Sequence, residues 1–176
     1  MKKNKYSAIL ILALIALPFM GTAQKSDEEA DKKNTFLINL GATYIPDGTS
    51  VGTTGSSGFF IPIVGIDYLY RVAKKWEIGL MVEMQLGDYL IIEGDLNREY
   101  ALDIVVIGSY RATEELHLFG GAGIEIDKNR NLAILRIGVE YNFSLGKGWL
   151  LAPNFMYDFK EGIDTWSLAL AFGKEF

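Results

Sequence analysis

The sequence predicts an all-β chain, an antiparallel up-and-down transmembrane β-barrel of about eight strands that follows a cleaved signal peptide. Three observations carry this reading. After Asn34 the apolar pattern has period 2 to the last residue, and no window keeps the three-and-four spacing of a helix for long. The alternating segments run about ten residues each, the length a tilted strand needs to cross a bilayer. Aromatic residues gather at the two ends of the segments and leave an aliphatic waist between them, which is the surface of a membrane barrel.

The first element is the export signal. Lys2, Lys3 and Lys5 precede an apolar stretch from Ala8 to Met20, and Gly21, Thr22 and Ala23 then offer a small-residue cleavage site before Gln24. Residues 1–23 therefore read as a signal peptide, too short for a spanning helix of roughly 20 apolar residues. A lipoprotein anchor is excluded because no cysteine lies near the cut. Residues 24–34 are charged and aperiodic and read as a disordered periplasmic lead. Residues 35–176 are the barrel, one domain.

Composition narrows the function. The formal net charge is −5, and the signal takes lysines but no acid with it, so the remainder is more acidic still and offers no basic surface for nucleic acid. With no cysteine in the chain, disulfides and thiolate metal sites are excluded. A closed hydrogen-bond ladder in a bilayer supplies the stability that disulfides would otherwise provide.

The strands follow in order. Segment by segment, the apolar face is set by Phe36, Ile38, Leu40 and Tyr44; by Val64, Ile66, Tyr68 and Tyr70; and by Trp76, Ile78, Leu80, Val82 and Met84. It continues with Leu102, Ile104, Val106 and Tyr110; Leu116, Leu118, Ala122, Ile124 and Ile126; and Leu135, Ile137, Val139, Tyr141 and Phe143. Trp149, Leu151, Phe155, Tyr157 and Phe159, then Trp166, Leu168, Leu170 and Phe172, complete it. Side chains on a strand alternate faces, so the intervening positions share the other side. The links at 72–75, 112–115 and 145–148 are tight turns, whereas those at 46–57 and 88–99 are long and those at 127–131 and 160–164 intermediate. Short periplasmic turns opposite longer external loops are expected of such a barrel.

The apolar face is the lipid face. Tyr68, Tyr70, Trp76, Tyr110, Tyr141, Phe143, Trp149, Phe172 and Phe176 form one girdle, and Tyr44, Phe60, Tyr100, Tyr157, Phe159 and Trp166 form the other. A soluble barrel of lipocalin type would instead turn its apolar face inward. The opposite face then becomes a polar lumen network of Asp67, Arg71, Glu77, Glu83, Asp103, Arg111, His117, Glu125, Arg136, Glu140 and Asp158. Arg136 is its expected hub, with Glu83, Asp67, Glu140 and Asp158 as acceptors and Gly121 and Gly123 across the hairpin making room for it. A lumen of this size is just wide enough for its own side chains, and buried charges need partners.

The last strand carries a more specific pattern. Trp166, Leu168, Leu170, Phe172 and the final Phe176 resemble the terminal strand by which outer-membrane barrels are recognised for assembly, with Lys174 departing from the usual apolar choice. The barrel resembles small bacterial outer-membrane proteins of the OmpA, OmpX and OmpW type. The resemblance implies outer-membrane localisation, lipid and the barrel-assembly machinery as partners, and contact with other outer-membrane proteins. It does not deliver one function, since these families range over adhesion, membrane stabilisation and small-solute passage.

Chemistry is thinly supported. Ser109, His117 and Glu140 fall on inward positions of neighbouring strands, where a nucleophile, base and orienting carboxylate could meet, but a lumen without room for substrate makes them an ordinary polar network. One histidine and no cysteine leave no zinc site and call for no cofactor. Gly121 and Gly123 lie inside a strand and not in a phosphate loop. The loop at 46–57 reads as a solvated tip, and Tyr89, Leu90, Ile91 and Ile92 either extend a strand beyond the bilayer or meet a partner. The expected role is a non-enzymatic structural, surface-exposed or complex-forming component with a filled lumen. A narrow channel for small solutes or cations is the alternative, and a lumen or loop hydrolase comes third.

Overall fold

A computed structural model describes residues 32–46, 48–50, 58–91 and 96–176. The signal peptide and residues 24–31 of the expected lead lie outside the described residues. Among the described residues every regular element is a strand: β1 (Asn34–Ile45), β2 (Gly48–Ser50), β3 (Phe59–Ala73), β4 (Trp76–Gln85), β5 (Asp88–Ile91), β6 (Leu96–Glu99), β7 (Leu102–Arg111), β8 (Leu116–Ile126), β9 (Leu132–Tyr141), β10 (Phe143–Gly146), β11 (Trp149–Lys160) and β12 (Thr165–Glu175).

The main sheet closes on itself. Its order is β10-β11-β12-β1-β3-β4-β7-β8-β9, and β9 also pairs with β11. Because β9 and β10 are one strand interrupted at Asn142, the wall has eight antiparallel staves. The first and last strands meet in continuous register from Thr35 opposite Glu175 to Tyr44 opposite Trp166. Closure leaves no edge, which is the condition for strands to sit in hydrocarbon.

Period-2 alternation sets the two faces. Leu80, Val106 and Ile137 point out and are 42%, 62% and 50% exposed, while Met81, Val105 and Arg136 beside them are at most 2% exposed. Outward rings touch along both rims. Tyr44 lies 4.8 Å from Phe60 and 5.1 Å from Trp166 at one end, and Tyr141 lies 4.8 Å from Phe143 at the other. The β10–β11 link is a two-residue turn in which Lys147 (φ 53°) and Gly148 (φ 81°) both have positive φ, the twist that a tight hairpin favours.

The long loops depart from the sequence expectation. Within the segments expected as loops, the described residues 48–50, 88–91 and 96–99 are strands: β2, β5 and β6 form a separate three-stranded sheet in the order β2-β5-β6. Tyr89 and Ile91 neither extend a wall strand nor await a partner. They are 2% exposed and pack with Ile45, Ile61, Leu132 and Ile163 of the barrel's own rim, forming a cap. Tyr100, at φ 50°, marks the bend where the β5–β6 hairpin leaves the wall, and its N–H donates to the Gly87 carbonyl at 3.0 Å. The free edge of β6 is covered as well: Glu99 N–H donates to Asp127 Oδ2 at 2.7 Å and Asn129 Nδ2 donates to the Asn97 carbonyl at 2.7 Å.

Candidate functional site: the lumen and its cap

The middle of the lumen is built around Arg136 on β9, which is 0% exposed. Its Nε donates to Asp158 Oδ1 at 2.6 Å and its Nη2 to Asp158 Oδ2 at 2.8 Å, a bidentate pair between residues directly opposite on β9 and β11. Nη2 also lies 2.7 Å from Glu83 Oε1 on β4 and 3.4 Å from Asp103 Oδ2 on β7. Two of the acceptors expected from the sequence are therefore replaced by Asp103. Asp67 instead accepts from Asn39 Nδ2, and Asn39 Oδ1 accepts from Asn154 Nδ2 at 3.1 Å. Glu140 lies opposite Asn154 on β11. Barrel staves are tilted and staggered, so counting along single strands misjudges which rows meet across the axis.

Gly121 is the direct cross-strand partner of Arg136, but arginine is not what it makes room for. A Cβ there would lie 2.8 Å from the Ile107 Cα, and one on Gly123 would lie 2.7 Å from the Val105 Cα. The β7 backbone crosses β8 too closely for a side chain at either position.

Two further cations enter from segments that the sequence reading left as loops. Lys160, the last residue of β11, holds Glu125 Oε2 at 2.5 Å and lies 3.5 Å from Asp103 Oδ2 and 3.7 Å from Asp158 Oδ2. Arg98 on β6 is 0% exposed; its Nη2 pairs with Glu125, and its Nη1 lies 4.0 Å from Asp127 Oδ1 and donates to the Arg130 carbonyl at 2.5 Å. Gln85 Nε2 donates to Glu125 Oε2 at 3.3 Å. One network thus runs from Arg98 in the cap through Glu125 and Lys160 to Arg136. Lys160 had a signal, because it continues the inward row of Asn154, Met156 and Asp158. Arg98 had none, because nothing local tells that a hairpin folds back over the mouth.

Glu77 centres the other end. Its Oε1 lies 3.5 Å from Arg71 Nε and 3.7 Å from Arg111 Nη1, and its Oε2 lies 3.6 Å from His117 Nδ1. Arg71 also reaches Glu175 at 3.4 Å. Asn142 Nδ2 approaches both ring nitrogens of His117, at 3.3 and 3.4 Å. Ser109 pairs along the ladders with Glu77 and Phe119, and Glu140 stands directly opposite His117, but the side-chain polar contacts of the histidine go to Glu77 and Asn142. An open recess of about 330 Å³ lies beside this cluster, lined by residues including Arg111, Glu114, Asn142, Ser144 and Glu175.

Much of the inward face is apolar, which the expectation of a polar lumen missed. Leu37, Ile63, Met81, Val105, Ile107, Phe119, Ile134 and Met156 pack together between the ion pairs. The lumen is a mixed core, held by van der Waals packing as well as by charge. Among the described residues no cluster of three or more acids or histidines is arranged to hold a metal. On the outside of β12, Trp166, Leu168, Leu170 and Phe172 face away from this core, and the Phe176 backbone exchanges two hydrogen bonds with Asn34, at 2.9 and 2.8 Å.

No family model matches the chain, and no curated protein matches it. Solved structures do. Ail, the attachment invasion locus protein of Yersinia pestis, matches with a TM-score of 0.53 and 13% identity over 82% of this chain and 99% of that one. The N-terminal β-barrel domain of Pseudomonas aeruginosa OprF matches with a TM-score of 0.52 and 10% identity over 82% and 98%. Neisserial surface protein A matches with a TM-score of 0.50 and 11% identity over 80% and 97%. At such identities the likeness is one of fold, and it agrees with the closed wall, the apolar exterior and the paired girdles: this chain has the fold of the eight-stranded outer-membrane β-barrels.

Proposed function

We propose that the chain is an integral protein of the bacterial outer membrane whose barrel is closed to passage and serves as a non-enzymatic structural, surface-exposed or complex-forming component. One observation carries the reading: Arg136, wholly buried, is tied to carboxylates on β4, β7 and β11 and so bridges the lumen from wall to wall. The apolar cluster between the ion pairs and the cap over one mouth support it. Trp166, Leu168, Leu170, Phe172 and Phe176 are proposed as the strand that the barrel-assembly machinery engages, with lipid and other outer-membrane proteins as later partners. Planar-bilayer recordings of the refolded chain should show no steady open state, and a reproducible ohmic conductance would overturn the closed-lumen reading.

A narrow cation path is the second reading. It is favoured by buried polar atoms that have no protein partner, among them Asp67 Oδ1, Glu83 Oε2 and Asp103 Oδ1. Buried polar atoms of this kind are commonly partnered by internal water, which a cation path would also need. A conductance that is cation-selective and falls in Asp103→Asn would favour this path over the plug.

A further inference from the structure

The two ends of the barrel differ in exposed charge. At the end with the short turns, Lys33, Lys74, Lys75 and Lys147 are exposed and Lys174 is half-buried. Among the described residues, none of the five forms an ion pair with a carboxylate. They are also not spread evenly. Lys33 precedes β1, Lys74 and Lys75 make the β3–β4 turn, Lys147 lies in the β10–β11 turn and Lys174 lies near the end of β12. In the sheet these strands are neighbours, β11-β12-β1-β3-β4, so the lysines form a crescent on one side of the rim. Glu114 and Glu115 lie in the β7–β8 turn beyond it. At the capped end the exposed cations among the described residues are Lys128 and Arg130, and both are spent on Glu99 and Glu161.

Two of the crescent lysines are set into the aromatic girdle. Lys75 Nζ lies 5.8 Å from the centre of the Tyr110 ring, which packs 5.0 Å from Trp76. Lys174 Nζ lies 5.7 Å from the centre of the Trp149 ring, which stacks on Phe172 at 5.1 Å. An aromatic face steadies an ammonium without neutralising it. Girdle rings sit at headgroup depth and lysine stems snorkel along apolar surface, so both ammonium groups are held where lipid phosphates lie. This also gives a reason for Lys174 in a position where an apolar residue is usual.

We propose that this crescent binds anionic phospholipid headgroups in the leaflet at the turn end, with Lys75 and Lys174 meeting the phosphate and the neighbouring lysines supplying the field. The inference rests on the membrane placement proposed above. It is tested with the full chain refolded into phosphatidylcholine vesicles that carry spin-labelled phosphatidylglycerol or spin-labelled phosphatidylcholine. The fraction of label slowed by the protein gives the relative association of the two lipids. Phosphatidylglycerol should be preferred by roughly two- to fivefold. The preference should fall toward one in Lys75→Gln/Lys174→Gln and in high salt, and should persist in Lys128→Gln/Arg130→Gln. Equal association of both lipids with the parent chain overturns the proposal, as does a preference that survives both the crescent variant and high salt. If the crescent variant does not fold, the salt titration of the parent decides. A chain that does not insert into vesicles at all overturns the membrane reading itself, whereas insertion without lipid preference overturns this inference alone.

Discussion

Arg136 and Arg98 are both wholly buried, yet the fold holds them in different ways. Arg136 sits mid-strand in the wall, and its main acceptor is fixed by ladder register directly opposite. Arg98 sits on a four-residue strand outside the wall and reaches its acceptors only because the hairpin bends over the mouth. The first contact is a property of the closed sheet and breaks only when the wall does. The second is a property of the cap and can break by local opening, since segments with few anchors open at lower free energy than the core they cover.

The largest effect is expected at the wall. Arg136→Met leaves Glu83, Asp103 and Asp158 facing one another with Lys160 as the remaining nearby cation, and breaking such a buried cluster costs about 3 to 5 kcal/mol. Urea unfolding of the refolded barrel in bilayers measures it, and an unchanged midpoint would show that the arginine is solvated. The same side chain on the other face gives a control. Leu80→Arg, at an outward position, should cost about 2 to 4 kcal/mol near the bilayer centre. If Leu80→Arg leaves the stability unchanged, the assignment of faces fails.

Lys160 is the link between the two regions, because it touches Asp103 and Asp158 on one side and Glu125 on the other. Lys160→Met should cost about 1 to 3 kcal/mol, the penalty of leaving buried charged groups short of a partner. Its sharper use is in a double-mutant cycle. Arg98 and Arg136 variants should be coupled in the parent and additive once Lys160 is gone. Additivity in both backgrounds would mean that cap and plug are independent from the start.

What the sequence revealed follows the same division. The faces of every wall strand, the closed count and the tight turns were legible, because each depends on a local period or a local turn. Arg136 and Asp158 were legible as partners because both lie inward on strands joined by one ladder. Asp103 was passed over for Asp67 and Glu140 because stagger across the axis is a property of the closed barrel and not of any segment. The apolar inward residues Ile63, Met81 and Met156 were hidden by a different cause. In a pattern of alternation, an apolar residue on the polar face reads as noise until packing shows that those residues meet. Arg98 was out of reach, since its burial depends on the bend at Tyr100 and on a rim cluster drawn from Ile45, Ile61, Leu132 and Ile163.

The smallest global effect is expected at the cap. In Arg98→Met the side chain lost from Glu125 is only one of three, because Lys160 and Gln85 still hold the other oxygen. Tyr89 and Ile91 also keep their apolar seat, so the hairpin retains part of its hold. The wall ladder is untouched and Asp127 keeps the Glu99 and Asn129 N–H groups, so the unfolding free energy should fall by about 1 to 2 kcal/mol, the scale of the lost contacts to Glu125 and the Arg130 carbonyl. The local effect should be larger. Amide exchange of Tyr89, Ile91 and Arg98's neighbours on β5 and β6 should speed up, and residues 88–91 and 96–99 should become open to protease, while amides of β7 and β8 keep their protection. If Arg98→Met instead lowers global stability as much as Arg136→Met, or if exchange rises equally in β7 and β8, the cap opens only together with the wall. The two buried arginines would then belong to a single cooperative unit.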